Sequence, residues 1–232
     1  MTKKILITGA NGQLGHEMRN ALKGNNRFEC IFTDVAELDI CNAEAVKQII
    51  ADNHIDYIVN CAAYTQVDKA EDNAELCKKI NTDAVENLAR AAADYGARMI
   101  HISTDYVFNG RGYRPYTEDM VPDPQSVYGS TKLEGEKILT DICPESIIIR
   151  TAWLYSPYGN NFVKTMLHLG EEREELSVVA DQIGTPTCAA DLAQAILVIL
   201  QADTFVPGTY HFSDEGVCSW YDFTVTIHRL AG

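Results

Sequence analysis

The sequence predicts an α/β protein in which a Rossmann-like, doubly wound parallel sheet carries a smaller C-terminal lobe. Through residues 1–150, short runs rich in β-branched residues alternate with longer segments of helical period. The short runs are apolar on both faces, which is typical of parallel strands covered by helices on both sides. A glycine-rich turn also joins the first run to the first helical segment, at Gly9, Gly12 and Gly15.

Each predicted element follows from its own local pattern. The predicted strands span residues 4–7, 28–33, 57–60, 99–102 and 147–149. The predicted helices span residues 12–23, 43–51, 74–95 and 126–140. The third helix should end at Gly96, because glycine tolerates the left-handed conformation that is common just after a helix. A loop rich in Gly and Pro, residues 109–125, precedes the fourth helix.

The alternation loosens from Thr151 onward. Helical periods at 161–169 and 188–202 are followed by a strand at 209–212 and a further segment from Ser219. We therefore predict a dinucleotide-binding domain at residues 1–150 and a substrate-binding lobe at residues 151–232, intertwined with the sheet.

Composition and charge exclude several classes of protein. The 232 residues are 46% hydrophobic and 22% charged, a globular balance rather than that of a disordered chain. Because 19 basic residues face 33 acidic ones, the net charge is −14. Such a field repels nucleic acid and anionic membranes, so we predict neither as a partner. The apolar runs are too short to cross a bilayer or to act as an export signal.

The cysteine pattern points to a reducing compartment. The chain has seven cysteines, an odd number, and no C-x-x-C pair. This pattern favours free thiols over a disulfide framework or a zinc site. We therefore predict a cytoplasmic protein.

The glycine turn is the strongest local indication of a ligand. Gly9, Gly12 and Gly15 would allow a tight turn, a close approach of the backbone to a pyrophosphate, and close packing of helix on strand. The helix N-terminus adds free N–H groups and the positive end of a dipole. This local counter-charge is what a protein of net charge −14 needs to hold phosphates. The alternative is a turn with only a structural role.

Asp34 is the candidate for the adenosine ribose. It closes the second predicted strand, with no arginine beside it. A carboxylate there accepts hydrogen bonds from the ribose and repels a 2′-phosphate, which favours NAD over NADP. Asp39 and Ile40, a few residues on, are further candidates.

A second constellation lies at the start of the fourth helix. Tyr128 and Lys132 are four residues apart, so they share one helix face. Such pairs are often only surface neighbours. Here, however, Thr104 stands at the end of the fourth strand, and ligands of open parallel sheets bind beyond that end. A nearby Lys132 cation should lower the pKa of the Tyr128 phenol toward neutrality, so that it can exchange a proton with a carbonyl oxygen while Thr104 donates to that oxygen.

These residues together resemble the extended short-chain dehydrogenase/reductase family. Four further blocks narrow the resemblance to the dTDP-4-dehydrorhamnose reductases: residues 60–71, 103–108, 150–155 and 181–187. The similarity runs from residue 5 to about residue 220. It implies reduction of dTDP-4-dehydro-L-rhamnose to dTDP-L-rhamnose with NADPH or NADH, the last step of dTDP-rhamnose synthesis.

The resemblance also implies roles for individual residues. The cofactor would be contacted by Gly12, Gln13, Leu14, Asp39, Ile40, Ala62, Ala63, Tyr64, Tyr128 and Lys132. The dTDP-sugar would be contacted by Thr104, Asp105 and Trp153. The alternative for Trp153 is a core aromatic. Asn161 and Lys164 are weaker sugar or diphosphate candidates, with a solvated helix face as the alternative.

Family members usually continue for several dozen residues past the end of this chain. By that comparison the substrate lobe is incomplete here, and the remainder completes a metal-linked dimer contact in some members. A homodimer and a magnesium requirement are therefore implied by the resemblance alone. The sequence itself contains no ligand cluster that predicts a tightly bound metal.

Two other functions remain open on this scaffold. A nucleotide-sugar dehydratase or epimerase is the nearer one, although dehydratases commonly place Glu where Tyr106 follows Asp105. The other is a cofactor-binding regulatory subunit without turnover, like that of methionine adenosyltransferase. A pure binding module has no need of Thr104, Tyr128 and Lys132 together.

Overall fold

The computed structural model describes residues 2–232. The strands there are β1 (Lys3–Thr8), β2 (Phe28–Thr33), β3 (Tyr57–Asn60), β4 (Arg98–Thr104), β5 (Ile147–Thr151), β6 (Leu154–Tyr155), β7 (Ile183–Gly184), β8 (Thr187–Cys188), β9 (Gly208–His211) and β10 (Cys218–Ser219). The helices are α1 (Gln13–Ala21), α2 (Ala43–Asn53), α3 (Val67–Asp72), α4 (Ala74–Lys78), α5 (Ala84–Tyr95), α6 (Val127–Ile142), α7 (Phe162–Glu172), α8 (Ala189–Gln201) and α9 (Trp220–Ala231). A π-helical segment (Lys79–Asp83) and a 3₁₀ turn (Asp105–Val107) complete the set.

Six strands form one parallel sheet in the order β2-β1-β3-β4-β5-β9. The chain winds outward in one direction through β2 and in the other through β3, so the order reverses between β1 and β3. In such sheets a ligand crevice lies at the carboxyl ends of the strands at this reversal. The predicted fold class is confirmed.

Helices cover both faces of the sheet. On one face, α2, α5 and α6 bury residues such as Val46, Leu88 and Leu139. On the other face, α1 and α8 bury residues such as Met18 and Ile196. Burial on both faces explains why the strands read as continuous apolar runs rather than as alternating ones.

The chain beyond Thr151 contributes to two regions. Helix α8 packs on the sheet, and β9 joins it beside β5. The short pairs β6–β8 and β7–β10, together with α7 and α9, form the rest of this part. The division at residue 150 stays a prediction. Within residues 2–232, no helix is both long and apolar enough to cross a membrane.

The predicted single helix at 74–95 is wrong in its middle. The backbone there widens into the π-helical segment Lys79–Asp83, which separates α4 from α5. Asn81 in this segment turns its amide toward the Tyr64 backbone, accepting from the amide N–H at 2.8 Å and donating to the carbonyl at 3.1 Å. Helix α3, only six residues long, was not predicted because one and a half turns show no clear period.

Candidate functional site

The glycine turn is packed so tightly that two of its positions admit only glycine. Gly9 has φ +63°, and a Cβ there would lie 2.7 Å from the Cα and N atoms of Ala62 on the next strand's end. A Cβ on Gly15 would come within 2.5 Å of Ala10 Cα. Gly12 is the N-terminal cap of α1. This tight turn is therefore a glycine cradle that leaves the backbone N–H groups at the N-terminus of α1 open to a pyrophosphate.

A cavity of about 570 Å³ opens at this turn, between the ends of β1, β2 and β3. Seven of the predicted cofactor residues line it: Gly9, Gly12, Asp34, Asp39, Ile40, Ala62 and Ala63. The lining also includes Val35, Leu38, Leu76 and Lys79, which the sequence did not single out. The exposed side chains of Val35 and Leu76 offer apolar surface there, and a purine ring needs such walls.

Asp34 stabilises the rim of this cavity by hydrogen bonds to backbone amides. Its carboxylate accepts hydrogen bonds from the amides of Asn11 at 2.9 Å and Val35 at 2.8 Å. The carboxylate is thus fixed where β2 ends. Asp39 accepts from the Cys41 amide at 2.9 Å, and the carbonyl of Ile40 accepts from Asn87, so both shape the loop before α2.

Three other predicted cofactor residues have structural partners within the protein. Leu14 is buried in the core, so only its backbone faces the turn. Gln13 accepts a hydrogen bond from Asn161 at 2.9 Å and thereby joins the turn to the C-terminal part of the chain. Tyr64 packs against the cluster that contains Tyr128.

Tyr128 meets Thr104 at the carboxyl end of β4. Ser126 caps α6 by accepting from the Gly129 amide, and this places Tyr128 in the first turn of the helix. The Tyr128 ring packs edge-on against Tyr106, and the Thr104 side chain is near enough to the phenol to lower its pKa. Thr104 in turn lies 3.2 Å from the Asp105 carboxylate. The structure therefore brings three predicted site residues, Thr104, Asp105 and Tyr128, together.

Lys132 is buried one turn further along α6. It is 1% exposed, and its Nζ donates to the Ile102 carbonyl at 2.7 Å. Burial lowers the pKa of Lys132 to about 8, because the charged form is poorly solvated. The lysine belongs to the site's interior rather than to a helix surface.

The predicted lowering of the Tyr128 pKa is not produced by the residues around it. Burial raises the pKa of the phenol well above its ordinary value, with the Thr104 side chain acting in the opposite sense. The neighbouring Asp105 carboxylate raises it further. Burial also raises the pKa of Asp105, to about 6. Without further positive charge, Tyr128 is therefore a protonated phenol, the form that donates.

Trp153 lies in an aromatic cluster of the C-terminal part. It has φ +49° and stacks on Trp220 with ring centroids 3.5 Å apart. A Cβ on Gly184 would come within 2.5 Å of the indole, so glycine is needed there. These are packing contacts, and a role in sugar binding stays a prediction.

Asn161 and Lys164 are likewise engaged within the protein. Asn161 caps α7, and the Lys164 ammonium donates to the carbonyls of Pro157 at 3.1 Å and Gly159 at 2.8 Å.

Two residues that the sequence reasoning missed contact the Lys132 region from the sheet. His101 on β4 lies with Nε2 3.2 Å from Lys132 Nζ, and Asn60 on β3 lies 3.0 Å from the other ring nitrogen. Both stood inside predicted strands as polar interruptions of apolar runs, which was the available signal. In the part of the chain that the structure describes, no three His, Cys, Asp or Glu side chains are grouped to hold a metal ion.

The sheet, the glycine cradle and the buried Tyr128–Lys132 pair define a dinucleotide-binding α/β protein of the short-chain dehydrogenase/reductase class. The chain belongs to the RmlD substrate binding domain family, whose sequence model matches residues 3–232.

Individual relatives agree with this assignment. A dTDP-4-dehydrorhamnose reductase of Escherichia coli (strain K12) is 45% identical over 235 residues, covering 98% of this chain and 78% of its own length. A crystal structure of a dTDP-4-dehydrorhamnose reductase from Clostridium acetobutylicum is 52% identical with a TM-score of 0.95, covering 99% of this chain and 80% of that one. The Bacillus anthracis dTDP-4-dehydrorhamnose reductase, solved in complex with NADP, is 44% identical with a TM-score of 0.95, covering 100% and 81%.

Proposed function

We propose that this protein reduces dTDP-4-dehydro-L-rhamnose at C4 to dTDP-L-rhamnose with NADPH or NADH, the last step of dTDP-rhamnose synthesis. The observation that carries the proposal is the meeting of Thr104, Tyr128 and Lys132 at the same edge of the sheet as the glycine cradle. The relatives named above support the substrate.

The cavity and the cradle bind the dinucleotide. Gly9, Gly12 and Gly15 keep the turn tight, and the N–H groups at the N-terminus of α1, from Gln13 and Leu14, hold the pyrophosphate. Asp34 accepts from the adenosine ribose, while Asp39, Ile40, Ala62, Ala63 and Tyr64 shape the remaining wall. When bound, the reduced nicotinamide supplies the hydride.

Tyr128 gives the proton to the sugar oxygen. The protonated phenol that burial favours is the form required for reduction, since hydride arrival at C4 leaves negative charge on that oxygen. Thr104, whose side chain lies near the phenol, donates to the same oxygen and fixes its position.

Lys132 stabilises Tyr128 after the phenol has given up its proton. An ammonium beside the phenol favours the phenolate that the transfer leaves behind. Lys132 also offers donors to the nicotinamide ribose. Its hydrogen bond to the Ile102 carbonyl fixes the amine at this depth.

Asp105 and Trp153 are the sugar-binding candidates of this proposal. Asp105 shares the Thr104 hydroxyl and can accept from a sugar hydroxyl when ionised. A homodimer and a cytoplasmic location also remain predictions. The first rests on the family resemblance and the second on the cysteine pattern.

One assay separates this proposal from the alternatives. The protein is mixed with NADPH and dTDP-4-dehydrorhamnose, and cofactor consumption and the sugar product are followed together. Consumption with formation of dTDP-L-rhamnose supports the reductase. A dehydratase or epimerase would change the sugar without net consumption, and a regulatory subunit would bind cofactor and change neither.

A further inference from the structure

A row of buried polar side chains crosses the sheet beneath the site. Thr8 on β1, Asn60 on β3 and His101 on β4 are register neighbours on adjacent strands. None of the three is more than 1% exposed. Buried polar atoms are costly unless they find hydrogen-bond partners, so the partner of each atom constrains the next.

The Asn60 amide has only one possible orientation. Its Oδ1 accepts from the Thr8 hydroxyl at 2.6 Å and from the backbone N–H of Ala62 at 3.2 Å. A backbone N–H can only donate, so the opposite orientation would place two donors face to face. Asn60 therefore presents its NH₂ group to His101.

The orientation of Asn60 fixes the tautomer of His101. Asn60 Nδ2 lies 3.0 Å from His101 Nδ1, and this nitrogen must accept. A neutral imidazole that accepts at Nδ1 carries its proton on Nε2. The imidazolium is excluded by the same contact, and burial together with Lys132 holds the pKa of His101 well below its ordinary value.

The remaining N–H of His101 points at Lys132. Nε2 lies 3.2 Å from Lys132 Nζ, which also donates to the Ile102 carbonyl at 2.7 Å. A neutral amine satisfies both contacts, because its lone pair accepts from His101 and one N–H serves Ile102. An ammonium has no lone pair and would face the His101 N–H donor to donor.

We propose that Asn60 and His101 form a tautomer lock on Lys132: Asn60 keeps the His101 proton on Nε2, and that N–H disfavours the ammonium form of the lysine. Both are positioning residues, since they act through Lys132. The kinetic part of this inference rests on the proposed function, in which Lys132 supports Tyr128.

Other charged or titratable groups near Lys132 act with or against the lock. On its own helix lie Tyr128 and Glu136, and Cys77 faces it from α4. Glu136 and Cys77 raise the pKa of Lys132, whereas burial lowers it by more. Glu136 is itself paired with buried Arg150 at 2.7 Å, which reduces its influence. The lock acts in the same direction as burial.

Burial lowers the pKa of Lys132 to about 8, and the lock acts in the same direction. The positive charge of Lys132 is disfavoured while Tyr128 is a neutral phenol and becomes favourable when a phenolate forms beside it. The row does not carry protons, because neither the Asn60 amide nor the Thr8 hydroxyl titrates in this range.

The tautomer can be read directly from the whole protein without substrate. Long-range ¹H–¹⁵N spectra distinguish the protonated from the bare imidazole nitrogen, and H101Q identifies the His101 signals by their loss. We expect a proton on Nε2 and a bare Nδ1 in the unaltered protein. A proton on Nδ1, or an imidazolium near neutral pH, overturns the lock.

Asn60→Asp tests the effect on Lys132. A carboxylate at residue 60 accepts from Nδ1–H, so the tautomer reverses and bare Nε2 can accept from the ammonium. The alkaline limb of kcat/KM should then move to higher pH by about one unit. In H101Q, the glutamine amide still offers an acceptor to Asn60 and a donor to Lys132. Its alkaline limb of kcat/KM should therefore stay at the pH of the unaltered protein. A limb that Asn60→Asp leaves unmoved overturns the effect on Lys132.

The two proposals fail in different ways. If Asn60→Asp does not fold, the spectrum of the unaltered protein still decides the tautomer. If the protein binds NADPH but does not reduce the sugar, the proposed function fails whatever the tautomer is. If reduction occurs and Nδ1 carries the proton, only the lock fails.

Discussion

Lys132 Nζ donates to the carbonyl oxygen of Ile102 at 2.7 Å, and this hydrogen bond fastens helix α6 to the end of strand β4. The helix carries Tyr128 and the strand ends at Thr104, so this buried contact joins the element of the proposed proton donor to that of its partner. An exposed lysine could not hold the two elements together in this way, because its side chain would sample many rotamers.

Replacing Tyr128 with Phe should remove the proton donor while keeping the packing of the ring against Tyr106. We expect kcat to fall by a factor of about 10² or more, with the cofactor dissociation constant nearly unchanged. Steady-state rates and cofactor titration measure the two quantities. Tyr106→Phe is the matched control, since it removes the phenol of the partially exposed neighbouring ring and should keep most of the activity. A Tyr128→Phe variant with near-normal kcat would contradict the assigned role.

Gly15→Ala should weaken cofactor binding severely. The added Cβ would lie 2.5 Å from Ala10 Cα, so the turn or helix α1 must move. Such overpacking costs about 1–3 kcal/mol, and we expect the dissociation constant for NADPH to rise at least about tenfold. Gly24→Ala is the control, because its Cβ enters open space at φ +75°. It should cost about 1 kcal/mol of stability and leave the dissociation constant alone. Tight binding by Gly15→Ala would argue against the cradle.

Asp34→Asn should shift the choice of cofactor toward NADPH. The carboxylate at the end of β2 repels a 2′-phosphate, and the amide does not. The quantity to compare is the ratio of kcat/KM for NADPH to that for NADH, which should rise. Glu29→Gln makes the same change of charge on β2, outside the cavity, and should leave the ratio unaltered. An unchanged ratio in Asp34→Asn would remove this residue from cofactor selection.

Glu136→Gln should destabilise the fold. Glu136 and Arg150 are 4% and 7% exposed, and Arg150 donates to both carboxylate oxygens. Removing one partner leaves a buried, uncompensated charge, which typically costs about 3–5 kcal/mol. Glu86→Gln, in an exposed pair with Arg90, should cost less than about 1 kcal/mol. Urea denaturation measures the free energy of unfolding of each variant. Equal losses in Glu136→Gln and Glu86→Gln would show that burial of the Glu136–Arg150 pair adds nothing to stability.

Asp105 should make stability depend on pH. Its pKa is raised to about 6 in the folded protein from 3.8. Because the folded state binds the proton more tightly than the unfolded state, stability falls as pH rises from about 4 to about 6 and then levels off. Asp105→Asn should remove this slope and stabilise the protein above pH 6 by at most about 3 kcal/mol. A slope that survives the substitution would place its origin elsewhere.

Local patterns in the sequence predicted the features that depend on neighbouring residues. The glycine turn, Asp34 at the end of β2, and the Tyr128–Lys132 pair could all be found because the chain itself sets their spacing. In the structure, the glycine turn and Asp34 lie at the carboxyl edge of the sheet. Tyr128 and Lys132 lie on the first turns of α6. Their roles in binding and catalysis stay predictions.

The features that the sequence could not show depend on register between distant strands. Asn60 and His101 are 41 residues apart and become partners only when β3 and β4 align. Lys79 lines the cavity from the start of the π-helical segment, which a 3.6-residue period does not reveal. The raised pKa of Tyr128 comes from burial, which spacing along a helix does not determine.

The most direct test of the account is to follow the hydride itself. The protein is given NADPH that carries deuterium at the transferable position, together with dTDP-4-dehydrorhamnose, and the sugar product is examined by NMR. We expect deuterium at C4 of dTDP-L-rhamnose, one for each NADPH consumed, and almost none when Tyr128 is replaced by Phe in the same reaction time. Bound but unconsumed NADPH, or a product that carries no deuterium, would contradict the account.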